Sequence, residues 1–494
     1  MRVASLGLAA LVVLPVVWAA AGWRLGSARR LLDWVCAGVC AQSVLCLLVA
    51  ALIGSDRSRP AAAGWLFLDA LSGYHLLVLM AVYLLSSFAA RGFFAHEMDR
   101  GTFPLPLARQ FAALWMASLA AMTLVLVSNN LGLMWVGMEA TTLVTAFLIY
   151  VHRTPRALEA MWKYLLICSV GIAFAFMGTL LVATAATKGS AMAGEALLWT
   201  GLRDRAGTLD ATTMKAAFIF LLVGYGTKAG LAPLHNWLPD AHSQAPAPVS
   251  AIFSGFMLNA SLYCLMRYVP LVEGSTGQSG WARALLQVIG VVSILVAAAF
   301  ILFQHDVKRL LAYHSVEHLG IIAVGLGLGG AGTFAALFHT LNHSLCKTLG
   351  FLCAGRLGQL YGTHDMTALT GTVARARLWG WGLLLSFLAL IGAAPFSIFM
   401  SELLVLKAAI DARAVTVLVM FLLGTATVFV GALRHAIAMA WGSPGGTPYA
   451  RPATAIDIGV VSGGLALLVL LGLWMPQPLL GTIAAAARII GGQE

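Results

Sequence analysis

Four ionisable residues lie in stretches that are otherwise apolar. They are Glu139 in LGLMWVGMEATTLVTAFLIY, Lys228 in GYGTKAGLAPLHNWLPD, Lys347 in HTLNHSLCKTLGF and Glu402 in APFSIFMSELLVLK. Each costs about 2.5–3.5 kcal/mol to insert into a bilayer core, so the set costs on the order of 10 kcal/mol. Packing alone gives no reason to keep them. Burial disfavours the charged form of a carboxyl or an amine, and an opposite charge nearby favours it. A Glu139–Lys228 pair can therefore load and release a proton for a modest change in separation. The structural alternatives are ordinary: an ion pair for Glu139 or Glu402, and a snorkelling side chain for Lys228.

His339, His343 and Lys347 follow one another at four-residue steps, so a helix puts them on one face. Histidine titrates near neutrality, which makes this face a candidate proton wire. His339 and His343 also have the spacing of two metal ligands on a helix. No third ligand with suitable spacing is evident, and Lys347 is a poor neighbour for a cation. His314, Glu317 and His318 in LLAYHSVEHLG either feed protons from the cytoplasmic side or cap that helix end. Asp306, Lys308 and Arg309 read as a loop anchor. Asp240 and His242 form an exit-side cluster or a plain turn (PDAHSQAPAP). Lys163, after Trp162, either supports the Glu139 region or anchors the chain at the interface. There is no P-loop, no CxxC pair and no haem motif, so no cofactor is expected. Energy for uphill proton movement must come from another subunit or from an ion gradient.

The elements that position these residues follow from composition. Of 494 residues, 60% are hydrophobic and only 10% are charged, against about 25% charged in soluble domains. That excludes disorder, a disulfide scaffold, collagen and a soluble enzyme. Apolar runs such as 3–22, 284–303 and 458–474 are long enough to span a membrane. The expected fold is an all-α membrane protein of about fourteen transmembrane helices: 3–22, 32–54, 66–90, 108–128, 130–150, 164–187, 213–236, 247–269, 282–303, 310–328, 331–356, 378–410, 415–440 and 456–478. Helices satisfy their own backbone in lipid, and the alternating strands of a barrel are absent. The stretch 3–22 reads as the first span rather than a signal peptide, because Trp18 and Trp23 mark an interfacial end. A short interfacial helix is expected at 482–491, and the longest polar loop at 188–212.

Pro233 interrupts the seventh span and Pro395 the twelfth, and each removes a backbone hydrogen bond. Interrupted helices in matching positions of two halves point to inverted repeats. The organisation expected is three helices over 1–107, one five-helix repeat over 108–269, a second over 270–440, and a last helix with a tail over 441–494. Loops after odd-numbered spans carry more Lys and Arg, among them Arg29, Arg91, Arg153, Lys308, Arg375 and Arg451. This puts those loops in the cytoplasm and both termini on the periplasmic or outer side of the cytoplasmic membrane. The formal charge of +11 is met by topology and lipid headgroups, with no nucleic-acid partner. Seven cysteines, all in apolar runs, read as small buried hydrophobes.

The segment GTKAGLAPLHNWLPDAHSQAPAPVSA resembles the signature of the Mrp-antiporter-like proton-translocating subunits of respiratory complex I, Mrp Na+/H+ antiporters and membrane-bound [NiFe] hydrogenases. WVGMEATTLVTAFL, EAMWKYLLICSVGIAFAFMGT, DVKRLLAYHSVEHLGII and NHSLCKTLGFLCAG look most like hydrogenase-4 component F, of the formate hydrogenlyase branch. The similarity covers roughly residues 70–440. It implies that Glu139 and Lys228 form the proton-input pair. It implies that His339, His343 and Lys347 carry the central and exit relay, with Glu402 as the terminal site. Many members of the family carry a Lys or His in the middle of the eighth span. Here that span offers Ser250, Ser254, Asn259, Ser261 and Tyr263, so a lateral link needs water held by Ser254 or Asn259.

The function expected is a proton-translocating subunit of a hydrogenase-4-like or complex I-like oxidoreductase. Its expected partners are other membrane subunits, a peripheral iron–sulfur or [NiFe]-type arm, and membrane lipid. The rivals are a subunit of a Na+/H+ antiporter or of a non-redox proton-coupled complex such as inorganic-carbon uptake, a metal-dependent membrane enzyme, and a scaffold.

Overall fold

The computed structural model describes residues 2–53, 64–188, 196–443 and 452–492; Arg451 and part of the 188–212 loop lie outside them. The chain runs α1 (Arg2–Gly22), α2 (Ala28–Ile53), α3 (Ala70–Asp99), α4 (Leu105–Val127), α5 (Leu131–Ile149), α6 (Pro155–Lys188), α7 (Trp199–Asp204), α8 (Ala211–Ala229), α9 (Trp237–Gln244) and α10 (Ala247–Ile252). It continues α11 (Leu258–Ser275), α12 (Trp281–Ile301), α13 (Val307–Leu328), α14 (Gly330–Tyr361), α15 (Thr372–Arg375), α16 (Arg377–Leu390), α17 (Ser397–Asp411), α18 (Val415–Trp441), α19 (Ala455–Leu473) and α20 (Gln477–Gly491). A π-helical turn, Phe253–Met257, joins α10 to α11 without a break. Among the described residues there is no β-strand, only isolated bridges such as Leu66–Ser128 and Asp306–Asp365. Among the described residues, ten helical stretches are long and apolar enough to cross a membrane.

Polar caps start the helices that matter for the site. Asn130 accepts hydrogen bonds from the Gly132 and Leu133 amides at 2.9 and 3.1 Å. Asp210 accepts from Thr213 at 2.9 Å, and Asp306 from Lys308 and Arg309 at 2.8 and 2.9 Å. Each satisfies amides that the first turn leaves without a helical partner. Small residues then let backbones approach. At the α12–α13 crossing, a Cβ on either Gly290 or Gly320 would meet the other's carbonyl oxygen at 2.6–2.7 Å.

Glycine, rather than proline alone, ends the two interrupted helices. After α8, Gly230 adopts φ +78°; its amide bonds Thr227 O at 3.1 Å, and the Leu231 amide bonds Gly226 O at 2.9 Å. After α16, Gly392 adopts φ +70°; its amide bonds Ala389 O at 3.1 Å, and the Ala393 amide bonds Leu388 O at 3.0 Å. Both are Schellman caps, which require a left-handed residue. Pro233 and Pro395 stand three residues after each glycine, both following a cis peptide bond. The Ala229 carbonyl is therefore not freed by Pro233, because α8 has already ended there.

Other boundaries move as well. The helix predicted from 164 starts at Pro155, which makes Lys163 helical. The helix predicted over 482–491 starts at Gln477 and packs on α3, α11 and α14. The α10–α11 helix and α13 are buried along their membrane windows and form the centre of the bundle. Large apolar side chains such as Leu166, Val170, Val288, Val430 and Leu473 face outward. Among the described residues no disulfide forms, and every cysteine but the half-buried Cys40 is buried.

Candidate functional site

Lys228 is the penultimate residue of α8 and is fully buried. Its Nζ donates to Tyr164 OH and to Thr142 Oγ1 (3.0 Å) and lies 4.5 Å from the Tyr164 ring centroid. The Tyr164 hydroxyl also meets Thr145 Oγ1 at 2.7 Å. Glu139, half-buried on α5, accepts from Ser169 Oγ at 3.0 Å through Oε1, and its Oε2 has no protein partner. Glu139 and Lys228 thus stand in one region without touching. The direct pair expected from sequence is replaced by a lysine held on hydroxyls and a carboxylate held on a serine.

The second half is built from α13, α14 and α17. Lys347 is fully buried on α14, and its Nζ donates to Leu311 O at 2.6 Å. On α13, His314 Nδ1 meets Glu317 Oε2 at 3.0 Å. His318 Nδ1 meets His339 Nε2 at 2.9 Å, and His339 Nδ1 meets Ser401 Oγ at 2.9 Å. Ser401 precedes Glu402, whose carboxylate packs over Gly392, where a Cβ would collide with it. The His343 ring centroid is 5.4 Å from that of His318, and both its nitrogens lack a protein partner, as do His314 Nε2 and His318 Nε2. His314, Glu317 and His318 therefore neither cap a helix end nor sit at the surface. They lie in the bundle core and join the His339 face.

A metal needs converging free ligands. Ligand atoms of His314, Glu317 and His318 do lie within 4.8 Å of one another. Hydrogen bonds to Glu317 and His339 already engage the Nδ1 atoms of the two histidines. The pair singled out by spacing, His339 and His343, does not belong to this trio, and His339 uses both nitrogens on His318 and Ser401.

The π-helical turn packs between the Tyr164 and Ser315 side chains. Ser254 Oγ lies 2.7 Å from Ser315 Oγ, and Ser315 Oγ donates to Leu311 O at 3.2 Å, the carbonyl that also accepts from Lys347. Asn259 Nδ2 donates to Ser344 Oγ at 2.9 Å, while its Oδ1 is open. Both residues expected to hold a lateral link thus face the second half.

The remaining candidates separate. Asp240 pairs with Lys163 at 3.1 Å and also with Arg309, so it bridges α6 and α13 at the end that carries the α13 N-terminus. That is the end at which the loops after odd-numbered predicted spans lie. Lys163 also pairs with Glu159 at 2.6 Å, so its printed partners are carboxylates other than Glu139. His242, two residues after Asp240, is fully buried instead. It stacks on Phe351 at 4.8 Å, with neither ring nitrogen partnered by protein.

Sequence reasoning missed two buried charges. Lys308 was assigned to a surface loop, yet it is buried and donates to Ser243 O (3.1 Å) and Ala245 O at the end of α9. Cations are favoured at helix C-termini. Arg267 grips Asp69 through two hydrogen bonds of 2.6 and 2.7 Å, bonds Ser72 and Tyr263, and lies 4.5 Å from the Trp199 ring centroid. Burial pushes the Asp69 carboxyl up, but the guanidinium more than offsets this and holds it below the usual carboxylate range. An acidic helix cap near 69 was the available signal for a buried basic partner.

Known proteins resemble this chain in sequence and fold. Residues 128–429 match a family model described as NADH:quinone oxidoreductase/Mrp antiporter, TM. The chain is 38% identical over 381 residues to the hydrogenase-4 component F homolog of Methylacidiphilum infernorum, covering 76% of this chain and 79% of that one. It is 31% identical over 355 residues to hydrogenase-4 component B of Escherichia coli, covering 68% of this chain and 49% of that one. A chain of the archaeal membrane-bound sulfane sulfur reductase has the same fold, with TM-score 0.87, 24% identity, and 99% and 98% of the two chains covered. A chain of respiratory complex I from Thermus thermophilus superposes with TM-score 0.78 at 26% identity, covering 97% of this chain and 99% of that one. The chain therefore belongs to the NADH:quinone oxidoreductase/Mrp antiporter transmembrane family, as a membrane antiporter-like subunit.

Proposed function

We propose that this chain translocates protons as one membrane subunit of a multi-subunit hydrogenase-4-like or complex I-like oxidoreductase. The observation that carries the reading is the buried hydrogen-bonded run His318–His339–Ser401 beside Glu402. Histidine exchanges protons near neutral pH, and a run of such groups across packed helices has no packing purpose that apolar residues would not serve better. Protons enter from the end marked by Asp240, Lys163 and Arg309 and load the Glu139–Lys228 region through Tyr164 and Thr142. His242 lies beside that route. Ser254 and Ser315, with water at the open Asn259 and His343 positions, link Lys228 to Lys347. His318, His339 and Glu402 carry the proton out, with His314 and Glu317 tuning the field around them.

The same reading counts fourteen spans: the ten apolar stretches, α1, α8, α14 and the interrupted α16–α17. Matching Gly-x-Ala-Pro breaks, GLAP and GAAP, support two inverted five-helix repeats over 108–269 and 270–440, flanked by 1–107 and 441–494. The chain sits in the cytoplasmic membrane with both termini outside, beside other membrane subunits and a peripheral redox arm. A gradient-driven antiporter would use the same residues, and the Mrp half of the family favours it as the second reading.

The test is Lys228→Ala in the tagged native complex, reconstituted into vesicles. Redox turnover without proton uptake is the expected result. Pumping at the wild-type proton-to-electron ratio would overturn the proposal. Co-purification of antiporter subunits alone, without iron–sulfur partners, would move the residues to the second reading.

A further inference from the structure

His75 is a buried titratable group that the proton route above leaves unused. It sits in the second turn of α3 and is fully buried. Its Nδ1 lies 2.9 Å from Leu71 O. A carbonyl only accepts, so Nδ1 carries the hydrogen and Nε2 the lone pair. Nε2 is buried and has no partner among the described residues. A proton arriving there is taken up without breaking a bond. The start of α3 lies at the end of the bundle opposite the Asp240–Lys163 pair, and there a closed layer covers His75. The Tyr263 ring meets the His75 ring edge-on at 5.0 Å. The Tyr263 hydroxyl accepts from Arg267 Nε at 2.9 Å, meets Ser72 Oγ at 3.1 Å and donates to Leu126 O at 2.8 Å. Arg267 also donates to Ser72 Oγ at 2.7 Å and holds Asp69 through two bonds. The rings of Phe67 and Trp199 flank the guanidinium at 5.6 and 4.5 Å. The inward side differs. Asn259, one turn before Tyr263 on α11, donates to Ser344 Oγ at 2.9 Å and leaves its Oδ1 without a partner. The Tyr74 hydroxyl donates to Leu337 O, two residues before His339, so α3 is fastened to the helix that carries the relay.

We propose that His75 exchanges protons with the outer side through a second port, apart from Glu402, and that the Asp69–Arg267–Tyr263 layer is the gate that keeps this port shut. The inference rests on the reading of the chain as a proton translocator. Such a protein needs a seal wherever a titratable group lies near the far surface, because a proton that returns there undoes a transfer. Arginine suits the gate. It keeps its charge at every working pH, so it repels an approaching proton, and its planar fork fits the Asp69 carboxylate. The layer satisfies its own polar groups, whereas His75 Nε2 and Asn259 Oδ1 behind it are left for water.

The test is passive proton flux in vesicles that hold the intact complex, without electron donor, after an imposed pH step read by an entrapped dye. Tyr263→Phe keeps the Asp69–Arg267 bonds but leaves Arg267 Nε and Leu126 O for water. It is expected to leak faster than wild type by about 10-fold or more, the scale on which a positioned proton-transfer group contributes. His75→Gln/Tyr263→Phe is expected to return to the wild-type rate, because glutamine takes up no proton near neutral pH. Ser72→Ala is a smaller change that keeps the Asp69 cap on the Ser72 amide. It should leak in the same way, so the test stands if Tyr263→Phe does not assemble. Tight vesicles with both single variants, or a leak that persists in the double variant, would overturn the port. Redox-driven uptake by the wild-type complex is recorded in the same vesicles. Its absence would overturn the translocating reading, whereas normal uptake with tight single variants would remove the port alone.

Discussion

His339→Gln separates transport from stability more cleanly than any other change in the site. In the native protein His339 joins His318 on α13 to Ser401 on α17 through both ring nitrogens. A glutamine has a donor and an acceptor and can keep both helices bridged, but it cannot change charge near neutral pH. Leucine at the same position removes the bridge altogether. Ser401 is then still satisfied, because its hydroxyl also donates to Ile398 O at 2.9 Å. Only His318 Nδ1 is orphaned, which costs about 1–3 kcal/mol. We therefore expect His339→Leu to lower the unfolding midpoint of the subunit measurably, and His339→Gln to change it little. Both should cut redox-driven proton uptake by about 10-fold or more, the scale at which a positioned proton-transfer group contributes. The assay is dye quenching in inverted vesicles, with electron transfer recorded in the same cuvette so that the proton-to-electron ratio is read directly. A His339→Gln protein with the wild-type ratio would show that protons do not pass through this histidine. The relay would then have to be sought around His343 or outside α14.

Two further changes probe the frame and the crossing. Arg267→Ala leaves the buried Asp69 carboxylate without its cation and should destabilise the subunit by about 3–5 kcal/mol, read as lost assembly on native gels. Because the Asp69 carboxyl is held low in the folded protein, its contribution is present at neutral pH and lost as pH falls below the usual carboxylate range through that lowered value; denaturation midpoints at pH 7 and pH 3.5 should show a difference that Asp69→Asn abolishes. Ser254→Ala/Ser315→Ala removes both partners of one hydrogen bond, which is nearly neutral for stability. It should lower the proton-to-electron ratio, and an unchanged ratio would place the lateral link elsewhere.

What the sequence made legible was the set of expensive residues. A charge in an apolar run is visible because nothing nearby is polar, and Glu139, Lys228, Lys347 and Glu402 stood out on that ground. Lys308 and Arg267 did not, because each lies near a predicted helix end, where charge is cheap. Their burial comes from tertiary packing, α9 covering Lys308 and the α3 cap covering Arg267. The helix breaks were located through proline, yet glycine makes them. A Schellman cap is a backbone hydrogen-bond pattern, and only the matching Gly-x-Ala-Pro spacing at 230–233 and 392–395 announced it. The α13 trio was misplaced for a different reason. Spacing along one helix cannot reveal a bond to another, and the His318–His339 contact joins residues 21 positions apart.

The crossing between the halves follows from what hydroxyls can and cannot do. A lysine in the middle of the α10–α11 helix would store a proton; Ser254 and Ser315 cannot, since a hydroxyl neither gains nor loses charge near neutral pH. They can only pass a proton on, through a chain that is complete at that instant. The π-helical turn at Phe253–Met257 matters here, because such turns displace side chains and leave carbonyls free of regular helical bonding, and they recur at functional sites. Leu311 O, shared by Lys347 and Ser315, ties the lysine to the same crossing. If the lysine turns away, the carbonyl keeps only the hydrogen bond from the serine. On the proposed pathway, a crossing of this kind would carry protons only while Lys347 is in register with it, which would place control of the link in that lysine rather than in the connecting helix.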